Sequence, residues 1–276
     1  MSQTAKTFPA RLHVLLANDA KVGIVFRRGP SKIVCSVLWN RKTDEFKLGQ
    51  WLRGRIYERR SDISPDGRFL IYFAMNGKWE SRTKGAWTAI SKVPWLKAIV
   101  LLGKGDCWHG GGLFTSDREY WLNDGYGHKV LEESSAVQRN QKYLPKKNYG
   151  GECPGVYFVR LQRDGWVMKP SVSDSEFTVF EKPLSHGWLL RKYAHAQIGS
   201  PSGKGCYWDE HELEQVEDGK RIDGVKWEWA DIDGKRLVWA EDGCLFHAII
   251  KRSGIGERKL LFNFNGMIFE AIQAPY

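Results

Sequence analysis

The sequence predicts an all-β chain assembled from a repeated strand-turn-strand unit, and three observations predict it. The first is the stretch 62–74, where Ser64-Pro65-Asp66-Gly67 leads into five apolar or aromatic residues, Phe69-Leu70-Ile71-Tyr72-Phe73. Pro65 presets φ at the first corner of a turn, the Asp66 side chain can close it, and Gly67 accepts the positive φ that other residues resist. The run that follows is too short for an ordinary helix and rich in strand formers. The second observation is a near copy at 229–240: Asp233-Gly234-Lys235 lies over Asp66-Gly67-Arg68, and Leu237-Val238-Trp239 over Leu70-Ile71-Tyr72. The third is spacing, because short apolar stretches separated by Gly, Pro, Asn and Asp run through most of the chain. Self-similarity of this kind asks for a repeat architecture.

The Ser-Pro-Asp-Gly-Arg turn and its strand resemble the WD40-like β-propellers of bacteria, the kind found in the propeller domain of the TolB protein. The close match covers 62–74 and 229–240 alone. It implies a single β-propeller over residues 10–276, behind a flexible leader at 1–9. Asp-bearing turns fall at Asp66, Asp117, Asp164 and Asp233, at intervals of 51, 47 and 69 residues. Blades of this type take about 40–45 residues plus loop insertions. About five four-stranded blades fit, or six if the longest interval hides one. A pair of β-sandwiches would satisfy the same strand spacing.

In chain order, 12–16, 22–28 and 33–39 read as strands separated by Asn18-Asp19 and Gly29-Pro30-Ser31, and 46–51 adds a fourth. Residues 53–60 carry Arg53, Arg55, Arg59 and Arg60, and 62–74 then closes a first blade. After a polar connection, 86–91, 97–102 and a hairpin of 113–115 with 119–123 make a second. Residues 125–155 read as a long inter-blade loop in which only 132–138 could form a short helix. Then 156–161 and 166–168 pair across Gln162-Arg163-Asp164-Gly165, a hairpin signal. Strands follow at 177–180 and 188–193, with a Gly- and Ser-rich break at 197–205. The Glu-rich stretch 209–218 reads as a solvated connection, and 225–229, 236–240, 245–251, 259–263 and 267–272 complete the chain.

A chain of 276 residues can bury a sizeable core. It holds 13 Trp, several times ordinary usage, and wedges between adjacent twisted sheets would absorb such side chains without any ligand. The net charge of +10 would attract nucleic acid, anionic lipid or an acidic protein, but the cations are spread rather than blocked. No stretch has the charged start and apolar core of a secretory signal, and no apolar run is long enough to span a bilayer. Five Cys without paired spacing suit reduced thiols. The expectation is a cytoplasmic protein without membrane insertion.

The most unusual local sequence is 103–112, which places Asp106-Cys107-Trp108-His109 among five Gly. Gly lets backbone approach a ligand, while Asp, Trp and His supply an acceptor, a stacking face and a switchable donor. A tight crossing that only Gly fits is the plainer explanation. The loop is no phosphate cradle, because the Gly-x-x-x-x-Gly-Lys-Ser/Thr order is missing. Cys107 with His109, and Cys244 with His247, match no zinc spacing, and no Gly-x-Ser-x-Gly elbow is present. Glu210, Glu212, Glu214 and Glu217 offer paired carboxylates, as a glycosidase requires, within a stretch that reads as solvated.

No catalytic residue, metal ligand or cofactor is therefore assigned. The expected function is that of a non-enzymatic scaffold or adaptor that holds a protein partner through Asp106, Trp108 and His109, with Arg59 and Arg60 next. The resemblance agrees, since WD40-like rings act as interaction platforms, although fold alone does not establish function. One alternative is nucleic-acid binding by the basic surface, with Tyr57 among the arginines as a stacking face. Another is a ligand or enzyme site in the central channel, which requires a discrete polar pocket with perturbed titratable groups.

Overall fold

The computed structural model describes residues 8–29, 32–170, 176–196 and 205–276. Positions 1–7 of the expected leader, Pro30-Ser31 of the first turn region, and 197–204 of the Gly- and Ser-rich break lie outside the described residues. Five sheets follow one another along the chain. The first is a meander of Arg11–Leu16, Val22–Arg28, Ile33–Asn40 and Glu45–Arg53. The second joins Arg55–Ile63, Phe69–Met75, Ala86–Lys92 and Ala98–Gly103 with the later Lys129–Glu132. Gly112–Phe114, Glu119–Leu122 and the parallel pair Gln138–Arg139 make the third. Val167–Met168, Phe177–Pro183, Trp188–Ala196, Tyr207–Gln215 and Arg221–Asp223 make the fourth. The fifth runs Trp229–Asp233, Arg236–Glu241 and Cys244–Lys251, against which Gly254–Ile255 and Lys259–Asn263 both pair.

The sheets are not uniformly four-stranded, and their boundaries differ from those expected. The stretch 62–74 opens the second sheet instead of closing the first. Its apolar run lacks alternation because both faces of the strand are buried. Leu70, Tyr72 and Ala74 pack against Leu15, Ile24 and Phe26 of the first sheet, while Phe69 and Ile71 pack against Phe114 and Tyr120 of the third. The copy at 236–241 behaves alike: Val238 and Ala240 meet Val14 and Trp39, and Leu237 and Trp239 meet Trp188 and Leu213. Each of the Val, Leu, Ile and Phe side chains among them contributes about 1.5–3 kcal/mol on burial. Most of the Trp excess sits here, with Trp39, Trp87, Trp188, Trp227, Trp229 and Trp239 in clusters between sheets.

Residues 153–163 overturn an expectation. The expected strand at 156–161 is an α-helix, Cys153–Arg163, with Pro154 in its first turn, where a missing N–H is harmless. Asp164-Gly165 is its end and not a hairpin turn. Gly165 takes φ +86° and donates to Gln162 O at 3.3 Å, while Trp166 N donates to Leu161 O at 2.9 Å. These are the two bonds of a Schellman motif. Apolar Val156, Tyr157, Val159 and Leu161 are buried on it. Conversely, 132–138 forms no helix, 209–215 is a strand of the fourth sheet, and 267–272 is irregular.

Consecutive sheets touch. Arg11–Leu16 packs against Arg55–Ile63, which packs against Gly112–Phe114 and the helix; the helix reaches Val167–Met168, and Tyr207–Gln215 meets Trp229–Asp233. Trp229–Asp233 and Arg236–Glu241 in turn contact Arg11–Leu16, so the first sheet touches both the second and the fifth. Ala10 N donates to Asn265 Oδ1 and Leu12 N to Glu228 Oε1, tying the start of the first sheet to the fifth. The turns also link neighbours: Asp66 N donates to Asp117 Oδ1 at 3.0 Å. No helix among the described residues is long and apolar enough to cross a membrane.

Candidate ligand cavity

In Trp188–Ala196 and Tyr207–Gln215, alternate side chains are buried, and the buried set is partly polar: Lys192 on one strand, Asp209 and His211 on the other. Lys192 stands directly opposite His211 in the register. From the helix, Tyr157 and Arg160 reach the same region from positions three apart on one face. Arg59 comes from the second sheet and His13 from the first. All seven are at most 8% exposed.

They bond to one another. Tyr157 OH donates to Asp209 Oδ2 at 2.6 Å, Arg59 Nη2 lies 3.2 Å from the same oxygen, and Lys192 Nζ lies 3.7 Å from it. Lys192 Nζ donates to His211 Nε2 at 2.8 Å, and His211 Nδ1 donates to Trp227 O at 2.8 Å, which fixes a neutral imidazole. Arg160 donates to His13 Nε2 at 3.0 Å and to the carbonyls of Ser61 and Glu58. Among the described residues it has no carboxylate within ion-pair distance. Arg59, Arg160 and Lys192 all lie over the Tyr157 ring.

Burial and the excess of cations shift the titrations. Burial lowers Lys192 to about 8 against the pull of Asp209, and burial with the Lys192 charge lowers His211 to about 3. His13 falls well below its usual value through burial and the Arg160 charge. Asp209, which burial alone would raise, is held at about 2 by Arg59 and Lys192. Tyr157 is pushed well up by burial and by Asp209.

A cavity of about 590 Å³ opens against this layer. Its walls include Arg59, Asp209, His13, Glu58 and Glu228, with Leu12, Phe26, Val34 and Ile56 as apolar surface and Val225 and Lys226 among its exposed lining. Glu58 accepts from Arg59 at 3.4 Å and pairs with Arg28 at 3.3 Å. Burial raises the Glu228 carboxyl to about 7, despite the bond from Leu12 N. A second cavity of about 190 Å³ is lined by Tyr157, Arg160, Lys192, Asp62 and Lys182. The bonds from Tyr157 to Asp209 and from Arg160 to His13 thus join the walls of the two cavities. A cavity of the first one's size, with few convergent polar groups and perturbed titrations, can hold a small molecule.

The residues expected to meet a partner fall in three places. Trp108 is 57% exposed on its loop. Asp106 pairs with Lys104 at 2.7 Å and accepts from Trp108 N, and His109 lies with its ring close to Gly125 and Gly151 while its carbonyl accepts from Arg60. Arg60 is buried, over Tyr57 and Phe73, and is bonded to the carbonyls of Cys107 and His109. Arg59 is buried in the cavity wall. The expected surface contact by these two arginines is therefore corrected, since each satisfies acceptors within the fold. Arg53 and Arg55 lie over Phe269 and Tyr57.

Sequence reasoning missed Asp209, Lys192, Tyr157, His13 and His211. The available signal was the period-two pattern Asp209, His211, Leu213, Gln215, set against Glu210, Glu212 and Glu214 on the other face. Those glutamates pair with His195, Arg191 and Arg221. Among the described residues no group of three or more His, Cys, Asp or Glu is placed to hold a metal.

No protein-family model matches the chain, and no curated protein does. Among solved structures it is similar to Kuenenia stuttgartiensis hydrazine synthase, at 10% identity and a TM-score of 0.31, over 90% of this chain and 79% of that one. It is also similar to an uncharacterised protein from Listeria monocytogenes, at 9% identity and TM-score 0.26 over 94% and 68%. A third similarity is to AtxE2 isopeptidase, at 11% identity and TM-score 0.33 over 93% and 53%.

Proposed function

We propose that the chain is a β-propeller of five unequal blades that binds a small molecule in the cavity at the middle of its ring. What carries this reading is the cavity of about 590 Å³ set against a layer of buried, mutually bonded ionic groups. Buried charges cost stability unless fully paired, so a layer whose Arg160 meets carbonyls and His13, with Asp62 and Asp164 only beyond ion-pair distance, is costly as a purely structural device. The cycle of contacts between neighbouring sheets supports the propeller, and the mixed strand numbers are what strand exchange and loop insertion would produce. The test is a small-molecule screen by thermal shift and native mass spectrometry on the protein and on Val225→Trp. Val225 is exposed on the cavity lining, so a Trp there narrows access without disturbing the core. Ligands that bind the wild type and lose at least tenfold affinity in the variant are expected; a screen with no ligand sensitive to the variant would sink the reading.

A second reading, the protein-binding scaffold, has its own support. Trp79, Trp108 and Tyr126 are exposed on three polar loops, and those loops are neighbours: Gly105 lies against Lys84, and Gly127 near Lys104. Aromatic side chains are enriched at interfaces. Under this reading the loop face carries the partner, and the two functions occupy different parts of the fold.

A further inference from the structure

We infer that the end of the second sheet carrying Trp79, Trp108 and Tyr126 binds single-stranded nucleic acid, stacking bases on these rings and taking phosphates on the cations around them. None of the three lines the first cavity, so the site is independent of the cavity reading, and a nucleic acid takes the place that the scaffold reading gives a protein. Strand register brings the rings together. Met75 stands opposite Ala86, and both Trp87 and Lys129 stand opposite Gly103, so the connections 76–85, 104–111 and 123–128 all leave the same end of that sheet. Lys104 N donates to Ala86 O at 2.9 Å, and a Cβ on Gly105 would lie 3.3 Å from the Lys84 side chain, which sets the first two connections side by side. From the third, His128 Nε2 bonds Thr88 Oγ1 at 3.2 Å. The rings are displayed and not packed, at 54%, 57% and 90% exposure. Tyr126 also has φ +90°, a backbone region that a bulky residue resists, and its ring gains little burial in return.

Charge sets the sign of the partner. Arg55 stands opposite Met75 at the same end of the sheet, with Arg53 beyond Gly54. Arg53, Arg55, Lys78, Lys84 and Lys129 are exposed and have no ion pair among the described residues. On the three connections, Asp106 pairs with Lys104, and Asp124 bonds His128 and pairs with Arg139, which leaves Glu80 as the one unpaired carboxylate among the described residues there. Protein interfaces favour aromatic and Arg side chains but are depleted in Lys, whereas exposed rings interleaved with Lys and Arg hold single strands without sequence preference. A bilayer fits less well, because none of the three connections contains a Leu, Ile or Val to enter the acyl region. Rings and cations touch bases and phosphates and not the sugar, so DNA and RNA strands bind alike.

The test is fluorescence anisotropy of the wild-type protein with labelled oligothymidylate and oligouridylate of about 12 nucleotides, a mixed-sequence duplex of the same length, and polyglutamate as competitor. Both single strands are expected to bind about tenfold tighter than the duplex and to resist polyglutamate at equal charge, because neither of these offers a free base to stack. Trp108→Ala and Tyr126→Ala are each expected to weaken binding about fivefold or more with its salt dependence unchanged, while Tyr126→Phe, which keeps the ring, binds like wild type. Lys84→Gln combined with Lys129→Gln is expected instead to flatten the slope of log affinity against log salt by about 1.4. The wild-type series carries the test even where a variant does not fold. Equal binding of the duplex, displacement by polyglutamate, binding of one sugar type alone, full affinity in both alanine variants, or no binding at all overturns the inference. Capture of phosphatidylserine vesicles or of a nuclease-resistant protein in place of the strands, lost in Trp108→Ala, overturns it too and gives the face to a membrane or to the scaffold reading.

Discussion

The glycine loop at 103–112 and the charged layer beside the first cavity concentrate polar and aromatic side chains in different ways. The loop is local in sequence and outward in space: Trp108 points to solvent, and Asp106 is used at once by Lys104 and by a backbone N–H two residues on. The layer is the reverse, assembled from four parts of the chain and almost sealed. His13, Arg59, Tyr157 and Asp209 meet across three sheets and a helix. The difference teaches that a conspicuous motif and a site with perturbed chemistry need not coincide. A polar loop can be locally self-satisfied, whereas burial together with the charges packed beside it shifts titrations by units.

The strongest way to break the comparison is at Asp209. Asp209→Ala removes the acceptor shared by Arg59, Tyr157 and Lys192 and leaves buried cations uncompensated, with an expected loss of about 3–5 kcal/mol. Asp106→Ala removes a carboxylate that is about half exposed but partners the buried Lys104 and the Trp108 N–H, with a smaller expected loss of about 1–2 kcal/mol. Urea denaturation of both variants measures the contrast. Equal losses would show that the layer is not the more tightly coupled of the two.

Next in size is the loop's own framework. Gly111 has φ +71°, and a Cβ there would lie 1.9 Å from the Arg60 carbonyl oxygen. Backbone cannot yield as a side-chain tip can. Gly111→Ala is expected to cost about 3 kcal/mol through strain and overpacking. A loss under about 1 kcal/mol by the same denaturation assay would mean that the loop is free to move away from the second sheet.

The layer's electrostatics give a smaller effect with a definite sign. Glu228 titrates near 7 in the folded protein and near 4.3 unfolded. The folded state therefore holds this proton more tightly, and its contribution is present below the unfolded value and lost as pH rises through about 7. The expected loss between pH 4.5 and 8 is about 1–3 kcal/mol. Comparing melting of wild type and Glu228→Gln across that range checks it, because Gln keeps the acceptor for Leu12 N and removes the titration. Parallel profiles would refute the shift. Asp209 behaves oppositely: its contribution is complete above the unfolded value near 3.9 and is lost as pH falls through about 2.

The all-β class was legible because turns and strand formers are local signals, and the unbroken apolar run at 69–73 correctly marks a strand buried on both faces. The helix at 153–163 was not, because Asp164-Gly165 serves a helix end and a hairpin equally well, and only the partners of the Gly165 and Trp166 N–H groups separate the two. Lys129–Glu132 joins a sheet whose other strands ended 26 residues earlier, at Gly103, a return that no local pattern announces. The site was hidden for the same reason. Asp209 begins an acidic stretch that reads as solvated, and its burial depends on Arg59 and Tyr157, which are remote in sequence. Arg59 and Arg60 stood out as a basic pair, but residue type alone does not tell a solvated guanidinium from one that is bonded inside.

The smallest expected effect is also the one that separates the two readings of function. Trp108 is mostly exposed, so Trp108→Ala should change stability by no more than about 0.5 kcal/mol and leave small-molecule binding in the cavity unchanged. A folded variant of this kind isolates the loop face from the rest of the protein. If a nuclease-resistant protein partner is captured by the wild type and lost from the variant, the loop carries an interaction of its own beside the cavity. Unchanged capture would place the partner elsewhere, and altered ligand affinity would mean that loop and cavity are coupled through Arg60, which bonds the loop's carbonyls and neighbours Arg59 in the chain.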